Sequence, residues 1–363
     1  MIKKVSLVAL LGASMLTLAA CGDSETSSGS EDGKKAKETA TAKSEIADVK
    51  IKDVQYVLPG NEDSVDEDSA LLQVKLKVKN TSKKNISLSS YNGIKLYSGE
   101  DQIEPYSDSI SSDLEESSSS SSRGEIRPGR ATEVPVLFEV DKGKKYELSV
   151  EPTSSDYDEK SKEMIFKIDT KKYEDSYDKL QDPSQALQAY IDTIYFDKDN
   201  ADYEKFVSAD KEAAKADAQK EFNNVLKDLL YKVKPTDADF AKYYNSYKQA
   251  LAQKAKVQVQ TIGNVGDKAL VSLTYTSIPL RIDFTNALNK YETEYRRNVD
   301  PYNSEKAEAY ALTKFDLILD SIEPVETRDA QKVLLSKKDG KWNVEKSEYG
   351  KNLSEIFAHG SVY

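Results

Sequence analysis

One cysteine and one histidine in 363 residues limit the chemistry of this chain more than any motif does. The cysteine is Cys21, directly after Leu18-Ala19-Ala20 and before Gly22. A thiolate is nucleophilic enough to become a thioether, and small residues ahead of it suit a peptidase pocket with little room. The histidine is His359, close to the chain end. A Ser-His-Asp set needs its base fixed by packing and by a third group, and a near-terminal residue is expected on an exposed tail.

Soft metals lack ligands, since one histidine and one cysteine cannot make a three- or four-ligand site. Gly340-Lys341 lacks the earlier glycine of a phosphate loop, and Gly263 with Gly266 does not make the dinucleotide fingerprint. Glu62, Asp63, Asp66, Glu67 and Asp68 offer hard oxygens. They lack the glycine and closing glutamate of a calcium loop, so a solvated acidic loop is expected. Asp283, Asp316, Tyr275 and Tyr310 are eligible for acid–phenol chemistry, yet nothing in their spacing selects them. No catalytic residue, metal ligand or cofactor is expected, and the chain reads as a non-enzyme.

What the leader does is more specific. Lys3 and Lys4 give a short positive start, and Val5 to Ala20 carries no charge. Those 16 residues fall short of the ~20 that a membrane-spanning helix needs, and Ser6, Ser14 and Thr17 weaken them further. The Leu18-Ala19-Ala20-Cys21 segment resembles the bacterial lipobox in residue type, spacing and position. The resemblance implies acylation of Cys21, cleavage before it, and a chain held by lipid on the outer face of a cell membrane. A fate for the leader as a released peptide pheromone is a further, general likeness.

Without Lys3 and Lys4 the chain has 50 basic against 63 acidic residues, a net of −13. Such a surface repels phosphate backbones and anionic headgroups. Nucleic acid is therefore not an expected partner. With Cys21 the only cysteine, no disulfide is possible, and the body must be held by burial in two domains of ordinary size.

Residues 1–20 are the leader, and 21–45 read as a flexible tether with little to bury, spanning on the order of 25–30 Å. From 46 to 170 the apolar period is two. Leu72, Val74, Leu76 and Val78 alternate with polar residues, as do Val134, Val136, Phe138 and Val140, then Met164, Phe166 and Ile168. Asn80-Thr81-Ser82, Pro128-Gly129 and Lys142-Gly143 supply turns, which suggests a two-sheet sandwich. Asn61–Ser69 and Ser107–Arg123, with its serine run at 117–122, read as loops.

Residues 171–182 read as a linker, and the stretch from about 153 to 182 is open to two readings, the sandwich's last strand plus a linker or a segment packed between the domains; beyond it the period becomes three-and-four. Asp182-Pro183 is a helix start. Stripes follow at Leu187, Tyr190, Ile191, Ile194, then at Phe222, Val225, Leu226, Leu229, Leu230, Val233, and at Phe240, Tyr243, Tyr244, Tyr247, Leu251. Val257, Val259 and Val271, Leu273, Tyr275 predict a hairpin across Gly263-Asn264-Val265-Gly266. Helices are expected over 284–298 and 310–322. Lys332–Ser336 and Lys341–Val344 form a closing hairpin about Asp339-Gly340. The fold class is therefore multidomain: an all-β immunoglobulin-like sandwich, then an α+β domain (183–358) with helices packed on a curved antiparallel sheet, and a tail at 359–363.

Residues 46 to about 152 resemble the telokin-like, immunoglobulin-type domain of many Gram-positive lipoproteins. The likeness rests on Leu72-Gln73-Val74-Lys75-Leu76-Lys77-Val78-Lys79-Asn80, and on Arg127-Pro128-Gly129 followed by Val136-Leu137-Phe138-Glu139-Val140. Residues 183 to about 350 look like an uncharacterised lipoprotein domain of the broad NTF2-like or cystatin-like kind, closing with Asp339-Gly340-Lys341-Trp342. Neither resemblance implies a catalytic residue.

Twenty-two tyrosines stand beside nine phenylalanines and one tryptophan. Tyr243, Tyr244, Tyr247, Tyr291 and Tyr295 suit the rim of a core, or a pocket or recognition surface. The functional expectation is a membrane-anchored, extracytoplasmic, non-catalytic binding or adaptor protein with a protein or small-molecule partner. The second reading is a carrier of a small apolar molecule in the C-terminal domain.

Overall fold

Alternation along a strand becomes a buried face only when a second sheet covers it, and here one does. The computed structural model describes residues 40–60, 70–89, 92–107, 110–114, 125–154, 161–345 and 353–360. The first strands are β1 (Thr41–Lys43), β2 (Ala47–Pro59), β3 (Ala70–Asn80), β4 (Ile86–Ser87), β5 (Ile94–Ser98) and β6 (Asp101–Ile103). Then come β7 (Glu125–Ile126), β8 (Ala131–Val140), β9 (Lys145–Val150), β10 (Thr153–Ser154) and β11 (Met164–Asp169). One face of the sandwich is β1-β2-β3-β8 and the other is β11-β9-β5-β6. Leu72, Val74, Leu76 and Val78 of β3 are all buried, while Lys77 and Lys79 are exposed. They meet Val136 and Phe138 of β8, Leu148 of β9 and Phe166 of β11 in one apolar cluster. This is the immunoglobulin-like sandwich that the alternation requires.

The polar turn after β3 is also structural. Asn80 is fully buried, and its Nδ2 donates to the carbonyls of Lys84 (2.7 Å) and Ile126 (2.8 Å). A buried amide is tolerated because its hydrogen bonds are made.

Both ends of this region differ from the expectation. Thr41–Lys43, assigned to the tether, is a strand paired antiparallel to β2, with Thr41 opposite Lys50. Within the stretch read as a linker or as a segment packed between the domains, the chain packs on β2. It forms a 3-10 turn at Thr170–Tyr173 and then α1 (Glu174–Asp178). Ser176 Oγ accepts from the Tyr56 backbone N–H at 2.9 Å, and Tyr177 meets the Tyr56 ring edge-on at 5.4 Å. Tyr173 and Tyr177 are too few for a periodic signal, yet they suffice to hold one turn on a sheet.

The second region runs α2 (Asp182–Ile194), α3 (Asp202–Phe206), α4 (Lys211–Leu229), α5 (Asp237–Lys254), β12 (Val257–Val265) and β13 (Lys268–Ser277). It continues with α6 (Ile282–Asn298), α7 (Ser304–Leu312), α8 (Phe315–Ser321), β14 (Val325–Glu326), β15 (Gln331–Lys338), β16 (Lys341–Val344) and α9 (Leu353–Phe357). It is α+β, with helices on an antiparallel sheet. Helix α2 begins at Asp182 itself, with Gln181 in the cap position and no capping side chain. The single helix expected at 310–322 breaks at Thr313-Lys314 into α7 and α8.

The predicted hairpin forms, but its turn is only Gly266-Asp267, because Gly263 and Asn264 stay in the ladder. There they pair with Pro59 and Leu58 of β2. One sheet therefore runs through both regions in the order β16-β15-β13-β12-β2-β3-β8, and Glu38–Tyr363 clusters as one unit. Gly263 is required at this joint. A Cβ there would lie 2.5 Å from Leu114 Cδ1 and 2.9 Å from Gly60 Cα. Leu114, read as part of a loop, is buried with Ile262 and Leu270 and covers the seam. The serine run itself lies outside the described residues.

The sheet face carrying Val271, Leu273 and Tyr275 is closed by the C-terminal segment. Phe357 is fully buried, with Tyr195 and Phe196 at 5.5 Å and Tyr275 at 5.6 Å. Buried Ser277 donates to the Ile356 carbonyl at 2.7 Å. Gly360 (φ +70°) passes so close that a Cβ would lie 1.9 Å from the Ile278 carbonyl oxygen. The expectation of an exposed tail at His359 is therefore overturned: His359 is half-buried beside this plug. Leu353, Ile356 and Phe357 draw it in, as their spacing puts three apolar side chains on one face of a helical turn.

Candidate functional site

Several sequence candidates fall outside the described residues, among them Cys21 and the acids from Glu62 to Asp68. The four acid–phenol candidates do not assemble. Asp283 and Asp316 are exposed in the first turns of α6 and α8. Tyr275 is buried against Phe357, whereas Tyr310 donates to Glu294 Oε1 at 2.7 Å. Burial holds the His359 imidazole below its usual pKa, against the pull of Glu355 and with a push from Arg281.

The tyrosines divide. Tyr244 and Tyr247 flank Phe222 at 5.1 and 5.3 Å inside the core, and Tyr247 donates to the Ile278 carbonyl at 3.1 Å. Burial pushes both phenols well up. Tyr243 covers Phe315 at 4.5 Å, and Tyr295 on α6 meets Tyr310 on α7 at 5.5 Å.

Two polar clusters escaped sequence reading. Asp197 sits at φ +53° and bridges Lys215 (3.2 Å) and Lys248 (3.1 Å). Burial alone would raise its pKa, but hydrogen bonds from Lys248 and Lys215 win and hold the carboxyl low. The second cluster holds two buried carboxylates. Glu308 accepts the backbone N–H groups of Tyr231 (3.3 Å), Lys232 (2.8 Å) and Val233 (2.5 Å). Glu292 pairs with Lys232 Nζ at 2.8 Å and Arg296 at 2.6 Å. Both carboxylates are consumed by these contacts and brace the end of α4 on α6 and α7. Buried charges persist when paired and hydrogen-bonded in this way.

One groove, of about 560 Å³, lies on the outer face of β5, β9 and β11. Strand alternation builds it. Inward residues such as Leu148 and Phe166 fill the sandwich core, so Lys145, Glu147 and Lys167 must point outward. The register sets Glu147 between Tyr97 and Lys167, and Lys145 opposite Asp169, whose carboxylate is 3.9 Å from it. Lys172 closes one end and Gly99 leaves the floor open. The volume is that of a small-molecule site, but the lining is polar and of mixed charge. It can hold a polar ligand by hydrogen bonds.

A sandwich sharing a sheet with an α+β region, with a polar outer groove, defines a class. The chain belongs to the DUF5105 family, a domain of unknown function matched over residues 173–358, and a second domain of unknown function, DUF4352, is matched over 37–162. It is 33% identical over 358 residues to the uncharacterised lipoprotein YcdA of Bacillus subtilis (strain 168), covering 96% of each chain. The crystal structure of YcdA is similar with a TM-score of 0.60 at 28% identity, over 89% of this chain and 99% of that one. The chain is thus a lipoprotein of this kind. No helix among the described residues is long and apolar enough to cross a membrane, and the likeness to a lipoprotein implies a membrane-anchored location.

Proposed function

We propose that the protein is an extracytoplasmic, non-catalytic binding or adaptor lipoprotein, anchored by lipid on Cys21. The observation that carries this reading is the plug. The sheet face where an α+β domain of this kind would enclose a ligand or a reaction is filled by Ile356, Phe357 and the rings around them. That filling speaks against the alternative, a carrier of a small apolar molecule, and leaves recognition to outer surfaces such as the Lys145–Lys167 groove. A surface of this kind binds without rearranging bonds.

Native mass spectrometry of residues 22–363, purified gently from the secreted fraction of the producing cell, tests the reading. The expected result is the bare mass. A reproducible small apolar adduct would restore the carrier reading, because the plug would then have to move. The anchor is tested separately: Cys21→Ala is expected to lose lipid label and membrane retention, and a variant that keeps both refutes acylation at Cys21.

A further inference from the structure

Asparagine is followed by glycine once in the sequence, at Asn92-Gly93. The pair leads into β5, and the backbone on either side of it is held. Ser89 and Asn92 exchange two backbone hydrogen bonds, at 3.0 and 3.1 Å, and the Gly93 carbonyl accepts from the Glu151 N–H at 2.7 Å. Two groups between these anchors are unengaged. The exposed Asn92 side chain makes no hydrogen bond among the described residues, and the Gly93 N–H donates to none of them. Other asparagines are tied down: Asn80 to the carbonyls of Lys84 and Ile126, Asn85 to Glu125, and Asn264 to the carbonyls of Lys179 and Leu180. Each of those is followed by a residue that carries a side chain. The glycine is fixed by the fold. Its φ is +83°, and a Cβ there would lie 2.3 Å from the Glu151 carbonyl oxygen and 2.9 Å from Leu88 Cδ1. Only glycine suits such a backbone, so the least obstructed successor is kept beside an unengaged asparagine.

We propose that Asn92 is a site of spontaneous modification, where the folded chain deamidates first. Asparagine is thermolabile through its side-chain amide, and the step needs only water. The Gly93 amide nitrogen attacks Asn92 Cγ, and the new N–C bond closes a five-membered succinimide. The Gly93 amide proton leaves with the side-chain NH2 as ammonia. Water then opens the ring at one of its two carbonyl–nitrogen bonds. Opening at Cγ restores the ordinary backbone, with aspartate at position 92. Opening at the main-chain carbonyl leaves isoaspartate, whose backbone runs through the former side chain and is one carbon longer. A side chain on the following residue would crowd the attacking nitrogen, and an amide held by hydrogen bonds cannot turn to meet it. Asn92 escapes both restraints. Either product puts a carboxylate where an uncharged amide stood. In the isoaspartyl product the carbonyl that accepts from Ser89 becomes that free carboxylate, so the Ser89 and Glu151 anchors lose their common register and the entry to β5 is weakened.

The test ages residues 22–363 in mildly alkaline buffer, folded and in urea, and follows tryptic peptides by tandem mass spectrometry. Peptide 85–95 holds both Asn85 and Asn92, and fragmentation separates them. In the folded chain Asn92 is expected to gain the mass of the amide-to-acid exchange, in two chromatographic forms, several-fold faster than Asn80 or Asn264. In urea its rate should be similar, while Asn80 and Asn264 speed up as their hydrogen bonds are lost. An Asn92 that reacts no faster than Asn264 in the folded chain, or several-fold slower folded than in urea, overturns the proposal. Asp339-Gly340 can close the same ring but changes no mass, so it does not interfere. Asn92→Gln would have to close a six-membered ring and should stay unmodified over the same period; conversion at the wild-type rate also overturns the proposal. The aged wild type should melt below the fresh chain, and aged Asn92→Gln should not. Equal shifts in the two chains overturn the link to β5.

Discussion

The sandwich and the α+β region share one sheet but reach their cores by different routes. In the sandwich, each strand supplies its own apolar face, although only some neighbours, such as β2 with β3 and β5 with β6, follow one another in the chain, while β3 with β8 and β5 with β9 do not. In the α+β region the last face is closed by Leu353–Ala358, a segment that pairs with no strand and has to fold back onto β13, α2 and the α2–α3 turn. The lesson is that two regions of one continuous sheet can differ in what they depend on. The first rests on local alternation, and the second on a distant short segment.

The strongest blow to this contrast is Phe357→Ala. Emptying a fully buried ring should cost about 3–5 kcal/mol, read by urea unfolding. If the contrast holds, the α+β helices lose stability first while sandwich strands keep their amide protection. Loss of protection evenly across both regions would show a single cooperative unit instead. A smaller effect is expected at the seam. Gly263→Ala drives a Cβ into Leu114 and Gly60 and should cost about 1–3 kcal/mol. Calorimetry is the measurement: one transition should separate into two, and a single lowered transition would mean the regions are coupled through more than this joint.

The smallest effect concerns pH. His359 has a folded pKa below its unfolded value of about 6.5, because burial disfavours the imidazolium. The unfolded chain takes up the proton first, so this contribution to stability is present above that pH and fades as pH falls toward the folded value. Melting temperature measured from about pH 7 to pH 5.5 should therefore fall less steeply in His359→Gln than in the wild type. Parallel slopes would mean that the plug does not enclose this ring.

Legibility follows the same division. The inward faces of β3, β8 and β11 are readable because period two is a local property of five to ten residues. The hairpins at Gly266 and Gly340 are readable because left-handed backbone favours glycine. The β2–β12 pairing was not readable, since no local pattern in Pro59 and Gly263 announces a ladder about two hundred residues apart. Tyr173 with Tyr177, and the five residues of α9, were missed for want of length: one turn carries no period. The groove lysines Lys145 and Lys167 looked like any solvated strand face, and only the register of three strands makes them neighbours. Glu292 and Glu308 looked like surface helix acids. Their burial depends on where α4 ends, which a helical pattern leaves open by several residues.

The position of the plug also sets an order of events. Phe357 and Gly360 follow, in the chain, every strand and helix whose core they close. A polypeptide that emerges from its N-terminus onward can assemble the sandwich core early, since those contacts lie within its first 180 residues. The α+β core stays unfinished until the final helical turn is out. Its aromatic interior is exposed for all of that interval, so the second region matures last and is where a stalled or clipped chain would first be recognised as incomplete.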